Sequence, residues 1–424
     1  MAAQITPPEL LKTLFNTAVE AAMPQHRIAP YLPSKPQGKL VVVGVGKSAA
    51  AMAKAVEDVW GDDLEGLVIT RYGHHMPTAK IEVIEAGHPV PDRNGVEAAQ
   101  KIFDRVAPLT EDDLVLCLIS GGGTSLFTLP PPELTLEALA DISVQLLKSG
   151  ADIAEMNTVR KSLSCSSGGR LAAVAYPAQV VSLIISDVPG DDLTVIASGP
   201  TVGDSVTAQD ALGIMQRYGV KASAEIVDYL NRDPNPIIKP EDPRLQHTQN
   251  ILIATPQHSL EAAAQVAKDY GYTSIILGNS IEGEAKEVGI VHGGIAKQVI
   301  RHHQPIVPPC VILSGGETTV TVSGSGGQGG RNSEFLLSLA VALDGLPGVY
   351  AIACDTDGID GSEDNAGALI TPDTLFQAKS KGIKASQYLE THDSYRFFAA
   401  LDMLVMTGPT LTNVNDFRAI LIVK

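Results

Sequence analysis

The chain has 424 residues, enough for two or three domains with separate cores. Hydrophobic residues make up 44% and charged residues 19%, with only 4% aromatics, so the apolar mass is mostly Ala, Val, Leu and Ile, the palette of helices covering a parallel sheet. The formal net charge of −17, from 31 basic and 48 acidic residues, argues against nucleic acid or an anionic membrane as partner, and obliges any site for an anion to gather its own positive potential.

No basic-then-apolar leader opens the chain, and the longest apolar runs, 40–45 and 180–185, are far too short to cross a bilayer. The expectation is a cytoplasmic protein. Cys117, Cys165, Cys310 and Cys354 show no CxxC spacing, and three of them lie in or beside apolar runs. They read as reduced thiols, without a disulfide framework or a zinc site.

In chain order, 8–22 carries Leu10, Leu11, Leu14, Phe15 and Val19 on one helical face. A proline-rich connector (24–36) leads to a buried strand over 39–45, stopped by glycines, and a helix over 47–60. Strands are expected at 66–70, 81–85 and 114–119, with a helix at 93–106. Helical stretches near 134–147 and 151–162 precede another strand at 180–186. This alternation predicts a largely parallel sheet with helices on both faces. The stretch 232–244 holds four prolines and no periodicity, and so reads as a domain boundary. Beyond it the alternation restarts: strand 250–254, helix 259–270, strand 274–277, helix 284–302. Strands follow at 311–313, 318–322, 350–354, 403–406 and 419–423, with a helix at 333–343. Ser-Gly-Gly-Gly-Thr-Ser at 120–125 and Ser-Gly-Gly-Glu-Thr-Thr at 314–319 echo each other, but two instances do not make a repeat.

Ligands of open α/β sheets bind beyond the carboxyl ends of the strands, so those loops matter most. Gly44-Val-Gly46-Lys47-Ser48-Ala49 has the form of a dinucleotide loop between strand and helix, and Lys47 makes it suitable for an anion. It is not a P-loop, because Val41 stands where that pattern needs glycine. The next strand ends in Thr70-Arg71, offering no acid for a ribose. Ser120, Gly121, Gly122, Gly123, Thr124 and Ser125 combine a foldable backbone with hydroxyls, which suits phosphate better than a plain turn. Asp187-Val-Pro-Gly-Asp191-Asp192 ends a strand with acids that fit either a base or metal ligand, or ordinary turn capping. Arg160, on a helical stretch, is a cation within reach of a phosphate or a surface charge. Gly324-Ser-Gly-Gly-Gln-Gly-Gly-Arg331-Asn332 places Arg331 at a helix start beside free N–H groups, two sources of attraction for an anion. Asp355-Thr-Asp357-Gly-Ile-Asp360-Gly is unsuited to calcium because Ile359 sits at a ligand position; magnesium, a substrate hydroxyl or a capped turn remain open.

Several strings together carry a resemblance. Val-Gly-Val-Gly-Lys-Ser-Ala, Ala-Gly-His-Pro-Val-Pro-Asp (86–92), Ser-Gly-Gly-Gly-Thr-Ser, Ser-Asp-Val-Pro-Gly-Asp-Asp and Ile-Ala-Ser-Gly-Pro-Thr (196–201) resemble the glycerate 2-kinase family. So do Gly-Gly-Arg-Asn, Asp-Thr-Asp-Gly-Ile-Asp-Gly and Thr-Gly-Pro-Thr-Leu-Thr-Asn-Val-Asn-Asp (407–416), over nearly the whole chain. The resemblance implies an α/β protein of two domains: a larger Rossmann-like α/β/α domain over 1–240 and a smaller, MOFRL-like α/β domain over 241–424. It implies ATP, Mg2+ and D-glycerate as reactants, 2-phosphoglycerate as product, and a cleft between the domains as the site. Lys47 and Arg331 become the expected active-site cations; on chemical grounds Asp187 is the acid expected to orient the 2-hydroxyl or to bind the metal. The glycine loops, from Gly44, Gly46 and Ser48 onward, are then assigned to phosphate, Arg160, Asn332 and Asp357 to substrate, and Asp191 and Asp355 to the metal. Small molecules are the expected partners, and a homodimer is compatible with the sequence.

Two other readings compete. Family members often carry the name hydroxypyruvate reductase, and the first glycine loop with Arg71 would suit NADPH. That chemistry wants a His–acid pair and an Arg near the substrate, and no stretch presents the set plainly. A non-catalytic sensor of a sugar acid is disfavoured by intact acids and cations at both glycine clusters.

Overall fold

The computed structural model describes residues 5–61, 63–151, 153–232, 237–322 and 326–423. Two units divide the chain: Pro24–Ser186 with Asp191–Ile253, and Met1–Met23 with Asp187–Gly190 and Ala254–Lys424. The division differs from the expected one at 240/241. It falls after a strand beyond the proline-rich segment, and the N-terminal helix goes to the C-terminal half. Residues 233–236 of that segment, and 323–325 at the edge of the second glycine cluster, lie outside the described residues.

The Pro24–Ile253 unit is built on β1 (Leu40–Val45), β2 (Glu65–Arg71), β3 (Ile81–Ala86), β4 (Leu114–Ile119), β5 (Gln179–Ile185) and β6 (Thr248–Ala254), in the spatial order β3-β2-β1-β4-β5-β6. The pairs from β3 through β5 are parallel. Every residue of β1 and β4 is buried, as continuous apolar runs covered on both faces must be. The helices Ala49–Trp60 and Arg93–Val106 supply small cover residues such as Ala50, Ala53, Ala98 and Ala99. The second helix begins where the Asp92 carboxylate accepts the Gly95 N–H at 3.0 Å. Strand order reverses between β1 and β4, so the chain diverges from their carboxyl ends and leaves room for a ligand there.

The other unit holds β7 (Thr273–Ile276), β8 (Ile281–Glu284), β9 (Cys310–Thr319), β10 (Val349–Asp355), β11 (Gly367–Ile370), β12 (Leu404–Val405) and β13 (Asp416–Ile422). The sheet runs β12-β11-β10-β13-β9-β7, with β8 also on β9. It is mainly antiparallel, contrary to the expectation from alternation. The reason is local: β10 and β11 are joined by 356–366, too short for the helical crossover that parallel neighbours need. The runs 311–313 and 318–322 resolve into the single strand β9, so the second Ser-Gly-Gly string lies inside a strand. A Cβ at Gly316 would stand 2.2 Å from the Ile281 nitrogen, which is why glycine sits where β8 crosses.

Alternate residues of β9, β10 and β13 face two cores. Val311, Leu313, Ile352, Phe417 and Leu421 pack against Leu10, Leu11, Leu14 and Phe15 of the N-terminal helix Pro7–Glu20. Cys310, Ile312, Ala351, Ile420 and Ile422 pack against Phe335, Leu336 and Leu339 of the helix Arg331–Leu343. The N-terminal helix is fixed at its start by a capping box between Thr6 and Glu9. All four cysteines are free thiols, and burial pushes that of Cys117 up to about 12. No described helix is long and apolar enough to cross a membrane.

His292, on the helix Ala285–His302, is buried edge-on to Phe335. Its Nδ1 lies 2.8 Å from the Val288 carbonyl, which only accepts, so Nδ1 carries the proton and Nε2 accepts from the Ser314 hydroxyl at 3.1 Å. Burial lowers its pKa to about 4, against 6.5 in the unfolded chain. The native state therefore excludes a proton that the unfolded chain binds, and stability falls as pH drops from about 6.5 towards 4. Urea denaturation at pH 7 and pH 5 is expected to reveal this loss, and His292→Gln to shrink the difference between the two.

Candidate active site

At the carboxyl ends of β1 and β4 the two glycine turns lock together. The Ser120 N–H donates to the Val45 carbonyl, the Lys47 N–H to the Gly121 carbonyl, and the Ser48 N–H to Ser120 Oγ, at 2.9, 2.9 and 3.0 Å. Gly46 has φ +128°, and a Cβ there would sit 2.2 Å from Ser120 Oγ, so only glycine lets the turns close. The Lys47 carbonyl accepts from Thr70 Oγ1 at 3.3 Å and lies 3.2 Å from His74 Nδ1, which anchors the lysine backbone from β2 and the turn after it. A Cβ on Gly122 (φ +79°) would stand 3.0 Å from His88 Nε2 and 3.3 Å from Lys47 Cγ, so the histidine and the lysine flank this turn. Ser48 is fully buried, its Oγ has no hydrogen-bond partner among the described residues, and it precedes the first residue of Ala49–Trp60. Lysine, an unengaged hydroxyl and the positive end of a twelve-residue helix thus coincide at the reversal of strand order.

The third wall of this turn is strained. Ala197 and Ser198 adopt left-handed φ of 49° and 60°, at a cost of about 1–3 kcal/mol each. They are held there: Ser198 Oγ pairs with Thr124 Oγ1 at 2.9 Å, and the Gly168 N–H donates to the Ser198 carbonyl at 3.0 Å. Gly123 must lack a side chain, since its Cβ would meet that of Ala197 at 2.4 Å. In the same unit Arg160 is half-buried, forms no ion pair among the described residues, and has its pKa lowered by burial. The neighbouring Lys161 is already neutralised by Asp204 at 2.6 Å.

The other unit gathers charge differently. Arg331 donates from Nε to Asp416 at 2.7 Å, and from its terminal nitrogens to Glu317, Asp355 and Asn415, each at 2.8 Å. Burial works against its charge, but Asp416, Asp355 and Glu317 outweigh that and raise its pKa well above the usual value. Asp416 is fully buried; burial would raise its pKa, yet Arg331 and Arg418 hold it below the ordinary carboxylate range. Asp360 takes the N–H groups of Asn332 and Ser333 at 2.9 and 2.8 Å, capping the helix Arg331–Leu343.

These contacts correct three expectations about this unit. The helix start is not an open anion seat, because Asp360 already fills it and Arg331 is bound to three carboxylates. Asn332 is fully buried, its amide donating to Asp416 at 2.8 Å, so it organises the network rather than facing a ligand. Asp355, the last residue of β10, and Asp357, in the connection to β11, are both buried. Asp355 accepts from Arg331 and from the Asp357 N–H, and Asp357 from the Ile359 N–H. Asp187 sits at the surface of the same network: Asn413 donates to its Oδ2 at 2.9 Å and Asn415 to its carbonyl at 2.5 Å.

For a divalent metal, the described residues contain no group of three or more His, Cys, Asp or Glu side chains able to hold one. Asp355 accepts one hydrogen bond at each oxygen, from Arg331 and from the Asp357 N–H, whereas Asp191 Oδ1 is buried with no hydrogen-bond partner among the described residues. The sequence reading assigned no chemistry to His88, Glu317, Asn413, Asn415 or Asp416, although His88 lies in the 86–92 string and the last three in 407–416. The signal was present as motif, but which polar residue meets which is a matter of tertiary packing.

The family described as "Domain of unknown function (DUF4147)" matches residues 10–231, and the MOFRL family matches 310–416. A protein from Agrobacterium vitis, provisionally named a hydroxypyruvate reductase, is 51% identical over 98% of this chain and 94% of its own. A D-glycerate 2-kinase from Thermotoga maritima is 41% identical over 98% of this chain and 99% of its own. A crystal structure of a glycerate kinase from Thermotoga maritima covers 98% of this chain and 99% of its own, with a TM-score of 0.88 at 40% identity.

Arg331→Met leaves Asp416, Asp355 and Glu317 without their shared counter-charge, and is expected to destabilise the protein by about 3 kcal/mol. Arg331→Lys keeps the charge but loses the fork, and should fall between the two in chemical denaturation.

Proposed function

The chain belongs to the glycerate 2-kinase family, and we propose that it transfers the γ-phosphoryl group of ATP to the 2-hydroxyl of D-glycerate, giving 2-phospho-D-glycerate. The observation that carries this reading is the crest where Lys47 and the buried Ser48 hydroxyl stand between two interlocked glycine turns at the β1/β4 reversal. Phosphoryl transfer asks a protein for positioning and charge neutralisation more than for covalent chemistry. In a chain of net charge −17, a lysine held by its own backbone at a helix N-terminus supplies both locally.

The roles follow from each side chain's setting. Lys47 neutralises phosphate oxygens, with Ser48, Ser120, Thr124, Ser125 and the turns through Gly44, Gly46, Gly121, Gly122 and Gly123 shaping the cradle. Arg160, the half-buried cation without an acid, takes the glycerate carboxylate. Asp187, oriented by Asn413, accepts a hydrogen bond from the acceptor hydroxyl and draws its proton. Arg331 is a positioning residue that holds Asn415 and, through it, the Asp187 carbonyl; Asn332, through Asp416, and Asp355, which accepts from the Asp357 N–H, hold Arg331. Mg2+ arriving with the nucleotide phosphates would find one protein oxygen at Asp191; when bound it supplies further charge neutralisation. For a reductase, the end of β2, Thr70 and Arg71, offers no carboxylate for the ribose of NAD, which leaves NADPH as its cofactor.

Purified protein with ATP, Mg2+ and D-glycerate is expected to form 2-phosphoglycerate, identified by phosphorus NMR, without consuming NAD(P)H in a parallel hydroxypyruvate assay. Oxidation of NAD(P)H by hydroxypyruvate without ATP turnover would overturn the kinase reading. Lys47→Ala should lower kcat by roughly a hundred- to a thousandfold, the usual effect of removing one electrostatic contact to the transition state, with an unchanged melting temperature.

A further inference from the structure

Tyr72 is the first residue after β2, and it is 52% exposed although its hydroxyl is held twice. The phenol donates to Asp92 Oδ2 at 2.7 Å and accepts from the Asn94 amide at 3.0 Å. The backbone beneath it is fixed as well. The His74 N–H closes the turn onto the Arg71 carbonyl at 3.1 Å, and the Gly73 N–H donates to Glu85 Oε1 at 2.7 Å. A tyrosine that only pinned two loops together would gain more by burying its ring. Here the tip is tethered while more than half of the residue stays open to solvent, which is what a stacking surface requires.

The place of the ring suits a nucleotide bound at the first glycine turn. The sheet has the strand order 3-2-1-4-5-6, and in such sheets the ribose of a nucleotide held after the first strand lies by the end of the second. Thr70 and His74, on either side of Tyr72, both reach the Lys47 carbonyl, at 3.3 and 3.2 Å. Two residues of chain span at most about 7 Å, so the tyrosine backbone stands about a sugar's length from that of the lysine.

One loop joins the two places. His88 stands beside Gly122 and Lys47 near one end of the segment 87–92, and Asp92 receives the Tyr72 hydroxyl at the other. The loop is folded tightly, since a Cβ on Gly87 would lie 2.5 Å from the Val90 carbonyl. Between its ends Val90 is 61% exposed, an aliphatic side chain left in solvent. The surface from Lys47 past His88 to Val90 and Tyr72 thus runs from cationic to apolar, as a nucleotide runs from phosphate to base.

We propose that Tyr72 is the stacking platform for the adenine base of ATP, with Val90 as its apolar neighbour and Asp92 and Asn94 holding the ring in place. The inference rests on the kinase reading and extends it from the phosphates to the base. A purine offers the ring more area than a pyrimidine, so the site favours ATP over UTP.

Steady-state kinetics with both nucleotides, and calorimetric titration with ATP, test this. Tyr72→Ala is expected to raise the KM and the Kd for ATP by roughly tenfold or more, the usual worth of one base–aromatic stack. The loss should fall on KM rather than kcat, spare the KM for D-glycerate, and shrink the advantage of ATP over UTP. Tyr72→Phe keeps the ring and drops both hydroxyl bonds, and should recover most of the affinity. A tyrosine that serves only to join the two loops gives another pattern: Tyr72→Phe as damaging as Tyr72→Ala, kcat reduced, and both nucleotides affected alike. That pattern, or an unchanged KM for ATP in Tyr72→Ala, overturns the platform and leaves the kinase reading intact. A wild type that neither binds nor turns over ATP overturns the kinase reading itself, and the platform with it.

Discussion

Asp416 has no contact with water and holds together four residues from three parts of one unit. Its two oxygens accept from Arg331, Asn332, Arg418 and Thr318, which come from a helix start and from the strands β9 and β13. A buried carboxylate is tolerable only with such company, because stripping it of solvent costs several kcal/mol that a single partner does not offset. Once Asp416 is placed, Arg331 is placed, and Arg331 in turn fixes Glu317, Asp355 and Asn415. The side chain of Asn415 then reaches Asp187, a residue far away in sequence. One charge taken out of water thereby orients a set of acids at the edge of the unit.

The Pro24–Ile253 unit orders its glycine turns by a different route. There the determinants are steric: Gly46, Gly122 and Gly123 leave out atoms that would collide with Ser120, His88 and Ala197. Backbone amides and carbonyls close the turns, and the strain at Ala197 and Ser198 is borne by hydrogen bonds around it. Charge enters late and sparsely, as Lys47 and Arg160. This division suits a strongly acidic protein that handles anions, since positive potential is confined to where the backbone already points its N–H groups.

Much of this was legible in the sequence, and the parts that were not share a cause. Continuous apolar runs such as 40–45 and 114–119, each followed by glycine and hydroxyl residues, marked buried strands, and β1 and β4 have those bounds. The strings around Lys47, Ser120 and Arg331 were enough to identify the family. Antiparallel pairing in the second sheet was hidden, because alternation of strand and helix does not reveal which strands become neighbours. Arg331 read as a free cation because its partners lie at 317, 355 and 416, and nothing in local spacing links them. Asp360 likewise read as part of a ligand loop, although it caps a helix that begins before it in the chain.

The sequence by itself determined the class of fold, the position of glycine-rich turns at strand ends and the scarcity of positive charge, because periodicity, glycine content and net charge are local or additive properties. Tertiary structure alone decided which charges are spent and which are left over. Arg331 and Lys161 are neutralised while Arg160 has no acid among the described residues, and Gly46 owes its place to Ser120. Those distinctions depend on the distance between residues remote in the chain, and Coulomb attraction and steric exclusion act through that distance rather than through sequence separation.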